Sequence, residues 1–194
     1  TRRNINVLVF DTEVYSNTGG QASKATPLGA TALFAAGGKR TRKKDLAGMA
    51  ISYGYVYVAQ IAMGADYNQT VKAIQEAADY DGPSLLIAYA PCINHGIRAG
   101  RGRAQKEEEK AVRSGYFTLF RYNPALREKG ENPFHLDSGE PSVPYREFLE
   151  GEVRYTALER IKPDVADQLF TEAQEHAMNR YRYWKHVTEM YGKL

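Results

Sequence analysis

Cysteine is nearly absent from this sequence, and long apolar runs are missing altogether. Cys92 is the single cysteine among 194 residues, which excludes a disulfide within the chain and favours a reducing compartment. No apolar run approaches the roughly 20 residues that a membrane-spanning helix needs. The opening Thr1-Arg2-Arg3-Asn4 leads into a strand pattern instead of a secretory signal. These absences predict a soluble, cytoplasmic protein that contacts no membrane.

What is present is the composition of a globular domain. Hydrophobic residues make up 43% of the chain and charged residues 25%, which is too apolar for a disordered protein. The densest charge is the basic run at residues 39–44, which could attract phosphate groups. No aromatic residue interleaves this run and no nucleic-acid motif accompanies it. A solvated loop, or an edge that faces a protein partner, is therefore favoured over nucleic-acid binding.

Short apolar runs alternate with helical patterns over the first two thirds of the chain. Residues 4–10 are β-branched and nearly all apolar, which predicts a strand buried on both faces. Further strands are predicted at residues 55–58, 84–89 and 117–122, and helices at residues 44–53, 68–80 and 107–114. This alternation predicts an α/β fold with a mostly parallel sheet and flanking helices.

The pattern changes after residue 122. Four prolines fall within residues 123–145, almost without periodicity, and this predicts an extended arm that lies over a surface. A long helix is predicted from Pro163, with an apolar stripe from Val165 to Val187 that packs on the parent domain or on a partner protomer. We therefore divide the chain into a sheet-containing domain, residues 1–122, and an arm with a helical tail, residues 123–194.

The loop after the first predicted strand is the first candidate site. Residues 11–20 offer hydroxyls, carbonyls, an amide and two glycines, at the edge of a parallel sheet where ligands bind. Such oxygen donors suit a hard cation, such as Mg²⁺, that is shared with a diphosphate. The alternative is a hydrogen-bonded turn that only connects a strand to the next element.

Cys92 is the second candidate. A lone buried cysteine can be a small hydrophobic residue and nothing more. His95 completes a Cys-x-x-His spacing, but two ligands do not make a zinc site, so we predict a structural role for His95. His135, His176 and His186 are predicted to be surface histidines. No arrangement of a hydrolase triad and no complete P-loop is found.

Several strings of the sequence carry a family resemblance. They are DTEVYSNTGGQ at residues 11–21, KKDL at 43–46, YGYVYVAQ at 53–60, AYAPCINHG at 88–96, RYNP at 121–124, NPF at 132–134 and LDS at 136–138. Together they resemble the thiamine-diphosphate-binding domain of the pyruvate:ferredoxin (flavodoxin) oxidoreductase family. The similarity extends over essentially the whole chain.

The resemblance implies an activity and a set of cofactors. The family converts pyruvate, coenzyme A and oxidised ferredoxin or flavodoxin into acetyl-CoA, CO₂ and the reduced carrier, as a homodimer. It implies that Mg²⁺ binds to the Thr12 hydroxyl and the Val14 carbonyl, and that Cys92 is one ligand of the [4Fe–4S] cluster nearest to thiamine diphosphate. Asn17 would lie near the substrate as a catalytic residue. The diphosphate would be lined by Thr12, Glu13, Val14, Tyr15, Ser16 and Asn17. Asp11 is expected to be structural, bonding to loop amides.

The family's Gly-Asp-Gly motif, its activating glutamate and its other cluster cysteines are not found in this sequence. We therefore expect a C-terminal fragment or a split subunit that is inactive alone and depends on the rest of the polypeptide or on a complementary subunit. Two alternatives stay open. One is another 2-oxoacid:acceptor oxidoreductase, and the other is a non-catalytic interaction module that retains the fold.

Overall fold

A computed structural model of the chain describes residues 3–193, so that Thr1, Arg2 and Leu194 lie outside the described residues. The strands are β1 (Asn6–Asp11), β2 (Val14–Tyr15), β3 (Gln21–Ala22), β4 (Tyr57–Ile61), β5 (Ser84–Tyr89), β6 (Phe120–Tyr122) and β7 (Phe134–Leu136). The α-helices are α1 (Leu46–Ile51), α2 (Tyr67–Asp79), α3 (Ala104–Arg113), α4 (Ala125–Glu128), α5 (Tyr145–Leu149), α6 (Val153–Ile161) and α7 (Pro163–Tyr191). Single 3₁₀ turns lie at Ile93–His95 and Arg101–Arg103.

Five of the strands form one mixed sheet in the order β1-β5-β4-β6-β7. β1, β5 and β4 are parallel, whereas β6 and β7 run antiparallel to their neighbours. The predicted α/β fold with flanking helices is confirmed. The direction of β6 is not encoded in its short apolar run, so a sequence pattern cannot distinguish this mixed sheet from a parallel one.

The segment predicted as an extended arm also contributes to the sheet. Its residues Phe134–Leu136 pair with β6, and Phe134 is fully buried. The pairing crosses the predicted boundary at residue 122, and the division into two domains stays a prediction. The predictions for residues 123–194 also missed α4, α5 and α6, because each is shorter than the window over which helical periodicity is detectable.

The prediction that the first strand is buried on both faces is wrong. β1 lies at the edge of the sheet, and Val7, Leu8 and Phe10 are 46%, 47% and 67% exposed. Only Asp11, at the carboxyl end of the strand, is buried. The apolar composition of β1 predicts that other elements cover both of its faces. The residues that the structure describes leave the strand exposed instead.

The long tail helix packs on the parent domain, as one of the two predicted arrangements requires. Its predicted stripe is buried at Leu169, Ala173, Ala177, Tyr181, Trp184 and Val187. Trp184 lies against the sheet, with its ring centroid 4.7 Å from that of Phe120 and 5.2 Å from that of Phe134. None of the helices between residues 3 and 193 combines the length and apolar content needed to cross a membrane.

Because Trp184 is 2% exposed between two aromatic rings of the sheet, Trp184→Ala should leave a large cavity. We expect the free energy of unfolding to fall by about 3–5 kcal/mol, measured by chemical denaturation. Gln174→Ala, at an exposed position of the same helix, is the control and should change it by no more than about 0.5 kcal/mol. Equal effects of the two substitutions would contradict this packing.

Candidate functional site

The loop that follows β1 is closed into a hairpin. β2 and β3 pair antiparallel, and the Gly20 amide donates to the Tyr15 carbonyl at 2.8 Å. Gly19 and Gly20 both have positive φ angles, +122° and +82°, which a residue without a Cβ adopts at little cost. The hairpin thus stands at the carboxyl end of β1, where the sequence predicted a ligand site.

The two predicted magnesium ligands converge in this loop. The Thr12 hydroxyl donates to the Val14 carbonyl with Oγ1 and O 3.1 Å apart, and the Ser16 hydroxyl lies 3.4 Å from Thr12 Oγ1. Neighbouring oxygens around an octahedral Mg²⁺ are about 3 Å apart, given Mg–O bonds of about 2.0–2.1 Å. The spacing and the chemistry of these oxygens therefore fit the predicted cation.

The remaining residues of the loop divide into an outer and an inner group. Tyr15, Ser16 and Asn17 are exposed along the outside of the hairpin, which leaves their side chains accessible to a ligand. Glu13 was predicted with them to line the diphosphate, but its side chain turns into the protein interior and is 1% exposed. The Glu13 backbone is also paired, since its carbonyl accepts a hydrogen bond from the Thr26 hydroxyl at 2.6 Å, and the ligand roles of these residues stay predictions.

Glu13 has an unusual backbone conformation and strong charge partners. Its φ is +61°, in the left-handed region that non-glycine residues rarely adopt. Its carboxylate contacts Lys43 Nζ at 2.7 Å, Arg154 Nη2 at 2.7 Å and the Tyr116 hydroxyl at 2.6 Å. Burial by itself raises the pKa of this carboxyl, but Lys43 and Arg154 outweigh burial and lower the pKa of Glu13 to about 2. Glu13 is therefore a permanently charged anchor of the loop.

Asp11 anchors the same loop from the end of β1. Its carboxylate accepts a hydrogen bond from the Glu13 amide at 3.2 Å, which confirms the predicted bonding to a loop amide. Its other oxygen lies 2.5 Å from Lys43 Nζ. Lys43 thus contacts two carboxylates, and the Lys39 ammonium donates to the Ser23 carbonyl at 3.1 Å. The basic run at residues 39–44 is therefore only partly solvated.

A second layer of buried charge lies beneath Glu13, and sequence reasoning missed it. Arg154 Nε contacts the Glu152 carboxylate at 2.6 Å, and Arg154 Nη2 is 3.0 Å from the Tyr116 hydroxyl. Both charged side chains are at most 1% exposed. No motif surrounds these residues in the sequence, and their contact with Glu13 spans 141 positions of the chain, so no local signal could have found them.

His95 connects this charge layer to the backbone of the loop. It is fully buried, and its Nε2 donates to the Thr12 carbonyl at 3.0 Å. On the other side of the ring, Nδ1 lies 3.4 Å from the Glu152 carboxylate. The prediction of a structural role for His95 is confirmed. His176 was predicted at the surface, but it is only partly exposed and accepts a hydrogen bond from Arg42 Nε at 2.9 Å.

Cys92 lies just before the 3₁₀ turn that carries His95, and it is half-buried, where the sequence suggested full burial. Its sulfur accepts hydrogen bonds from the backbone and side-chain nitrogens of Asn94, at 3.3 and 3.6 Å. A Cβ placed on Gly20 would collide with the Asn94 side chain, so the hairpin packs directly against the Cys92 segment. Beside Cys92 is a cavity of about 260 Å³, lined by Pro91, Cys92, Ile93, Gly96, Ile97, Gly100, Arg101 and Ala104.

Comparison with known families finds a match to the first part of the chain. Residues 1–88 match the family described as thiamine pyrophosphate enzyme, C-terminal TPP binding domain. The matched range contains the hairpin with Thr12 and Val14, and it ends before Cys92.

Individual relatives match nearly the whole chain. Pyruvate:ferredoxin oxidoreductase of Moorella thermoacetica is 59% identical over 96% of this chain and 16% of its own length. Pyruvate-flavodoxin oxidoreductase of Enterobacter agglomerans is 58% identical over 94% of this chain and 15% of its length. A pyruvate dehydrogenase [NADP(+)], mitochondrial, of Euglena gracilis is 48% identical over 96% of this chain and 10% of its length.

The chain is therefore homologous to a segment of a thiamine-dependent oxidoreductase. Over nearly its whole length the chain is similar to pyruvate:ferredoxin and pyruvate-flavodoxin oxidoreductases, and the resemblance seen in the sequence is confirmed. The chain spans about one sixth of the length of the first two of these relatives.

The buried charges predict a dependence of stability on pH at Glu107 of α3. This carboxyl is 6% exposed, and burial, followed by repulsion from Glu152, raises its pKa from 4.5 to about 7. Between pH 4.5 and about 7, Glu107 is protonated in the folded protein but ionised in the unfolded chain. This group therefore lowers the stability of the fold as the pH rises through that range. Glu107→Gln should therefore stabilise the protein at pH 8, by on the order of 1 kcal/mol, and have little effect at pH 4.

Thermal melting at both pH values measures this difference. Glu109→Gln is the matched control on the same helix, because Lys106 lowers the pKa of Glu109 and the carboxylate is favoured when folded. Glu109→Gln should therefore not raise the melting temperature at pH 8. A Glu107→Gln effect that is the same at pH 4 and pH 8 would contradict the raised pKa.

Proposed function

We propose that this chain is the part of a pyruvate:ferredoxin or pyruvate:flavodoxin oxidoreductase that helps to bind Mg²⁺-thiamine diphosphate and supplies one ligand of the proximal [4Fe–4S] cluster. The reaction is the coenzyme A-dependent oxidative decarboxylation of pyruvate to acetyl-CoA and CO₂. The observation that carries the proposal is the convergence of Thr12 Oγ1 and Val14 O at 3.1 Å in the thiamine-matching hairpin. The pyruvate named in the most similar relatives favours pyruvate over other 2-oxoacids.

The hairpin residues have distinct tasks in this proposal. Thr12 and Val14 bind Mg²⁺ through hard oxygen atoms, which this cation prefers. The exposed face from Tyr15 to Asn17 lines the diphosphate and places Asn17 near the substrate. Bound thiamine diphosphate supplies the chemistry that stabilises a carbanion, and the chain's own contribution is to bind and orient it.

Cys92 has the second task, the ligation of iron. Its sulfur already accepts two N–H hydrogen bonds from Asn94, and such bonds tune the reduction potential of clusters held by thiolates. The packing of Gly20 against Asn94 supports a cluster next to the thiamine hairpin. A short distance between the two cofactors suits an enzyme that passes electrons from one to the other.

The chain holds only part of each site, so we propose that it is inactive alone. Its hairpin offers a few of the oxygen ligands of an octahedral cation, and its single cysteine cannot replace the four thiolates of a [4Fe–4S] cluster. The remaining ligands come from the rest of the polypeptide or from a complementary subunit. The isolated chain should therefore not reduce viologen with pyruvate and coenzyme A, and measurable reduction would contradict this.

The proposed physiological partners are pyruvate, coenzyme A and either ferredoxin or flavodoxin, in a cytoplasmic enzyme that is a homodimer. The relatives support a soluble electron carrier as the acceptor, since ferredoxin and flavodoxin appear in their names. The intact oxygen ligands of the hairpin favour this catalytic role over an interaction module that merely retains the fold.

Two substitutions in the full-length oxidoreductase should separate the two cofactors. Thr12→Val removes a magnesium ligand but keeps the shape of the side chain, so it should weaken thiamine diphosphate binding about 10-fold or more and leave the iron content unchanged. Cys92→Ser removes a thiolate, so it should eliminate the signal of one cluster and leave thiamine diphosphate bound. Calorimetry and iron analysis with electron paramagnetic resonance measure the two losses.

Each variant is the control for the other. Loss of both cofactors in both variants would indicate a general folding defect. Unchanged thiamine diphosphate affinity in Thr12→Val, or unchanged iron in Cys92→Ser, would contradict the role proposed for that residue.

A further inference from the structure

The C-terminal part of the chain reaches under the hairpin that carries the proposed magnesium ligands. Glu152 and Arg154, at the start of α6, are both buried, with side chains at most 1% exposed. The Arg154 carbonyl also accepts hydrogen bonds from the backbone and hydroxyl of Thr31, at 2.9 and 2.7 Å. Both the backbone and the guanidinium of Arg154 are thus fixed in place.

Arg154 holds the one residue that lies between the two proposed ligands. Its Nη2 contacts the Glu13 carboxylate at 2.7 Å, and Glu13 separates Thr12 from Val14 in the chain. The left-handed backbone of Glu13, with φ of +61°, sends the side chain inwards while Thr12 Oγ1 and Val14 O stay 3.1 Å apart. A rotation of Glu13 towards an ordinary conformation would turn the Val14 carbonyl away from the Thr12 hydroxyl.

The same helix start also lies against the histidine that contacts the loop. Glu152 bonds to Arg154 Nε at 2.6 Å and faces His95 Nδ1 at 3.4 Å. The Nε2 atom of that histidine donates to the Thr12 carbonyl at 3.0 Å. Glu13 is therefore held directly by Arg154, and the Thr12 carbonyl that precedes it is held by a histidine that lies against Glu152.

We propose that Arg154 is a positioning residue for the divalent cation, acting through the Glu13 carboxylate. The proposal rests on the function proposed above, and it assigns to the tail a share in cofactor binding. Arg154 touches neither the metal nor the substrate. Its guanidinium keeps Glu13 in the left-handed conformation that aligns the two oxygen ligands, and partners of this kind typically change metal affinity by about 10- to 100-fold.

The test compares two buried arginines in the full-length oxidoreductase. Arg154→Met removes the contact with Glu13. Arg121→Met is the matched control, because Arg121 is 7% exposed and bridges Glu76 and Asp137, at 2.5 and 2.8 Å, without a contact to the hairpin. Mg²⁺ is titrated by calorimetry into enzyme freed of magnesium, with its iron retained, at a fixed concentration of thiamine diphosphate and well below the melting temperature of each variant. Electron paramagnetic resonance of bound Mn²⁺ reports the symmetry of the site independently.

We expect Arg154→Met to weaken Mg²⁺ binding about 10-fold or more and to alter the Mn²⁺ spectrum, and Arg121→Met to change the affinity less than about twofold. A purely structural role would lower the melting temperature of both variants and leave the Mg²⁺ affinity of the folded protein unchanged. Equal affinities in the two variants, or an unchanged Mn²⁺ spectrum in Arg154→Met, would overturn the proposal.

Arg154→Lys provides the test if Arg154→Met does not fold. Lysine keeps the positive charge between two carboxylates, but its single ammonium cannot reproduce the two-sided contact of the guanidinium. We expect a Mg²⁺ affinity between those of the wild type and a Thr12→Val variant, and wild-type affinity in Arg154→Lys would overturn the proposal. A wild-type enzyme that binds no Mg²⁺-thiamine diphosphate would instead refute the proposed function, and this inference with it.

Discussion

The interaction on which the site depends is the buried contact between Glu13 and Arg154. Two charges removed from water lose several kcal/mol of hydration each, and only close, well-oriented partners recover this loss. Glu13 has three such partners, Lys43, Arg154 and Tyr116, and Arg154 in turn contacts the Glu152 carboxylate and the same Tyr116 hydroxyl. A cluster of this kind tolerates few alternative geometries, because each displaced charge would remain buried without a partner. The hairpin that it anchors therefore has one defined shape.

This constraint links two parts of the chain that are distant in sequence. The hairpin belongs to the sheet-containing part, whereas Glu152 and Arg154 belong to the segment predicted as arm and tail. Trp184 and β7 add an apolar connection between the same two parts, through the rings of Phe120 and Phe134. The tail is thus more than a cover for the sheet, since its buried charges contact the hairpin and its buried aromatic side chain contacts the core.

Local patterns in the sequence predicted the strands β4 and β5, the helices α1, α2, α3 and α7, and a loop after β1. Each of these depends on residues that are close together in the chain. The errors have a different origin. The exposure of β1, the direction of β6 and the charge cluster around Arg154 depend on contacts across the fold, and short-range periodicity contains no information on such contacts. The burial of the Glu13 side chain depends on such contacts as well, because its partners Lys43, Tyr116 and Arg154 are distant in the chain.

The exposed strand β1 and the hairpin with the proposed magnesium ligands are neighbours in the structure. In the part of the chain that the structure describes, β1 pairs only with β5 and presents Val7, Leu8 and Phe10 to solvent. The hairpin follows directly from its carboxyl end. A parallel strand added to the free edge of β1 would end beside Thr12 and Val14, as ligand-binding loops of such sheets do. Such pairing would satisfy the free backbone groups at the edge of β1, whereas Val7, Leu8 and Phe10 point to the faces of the sheet and need other elements to cover them.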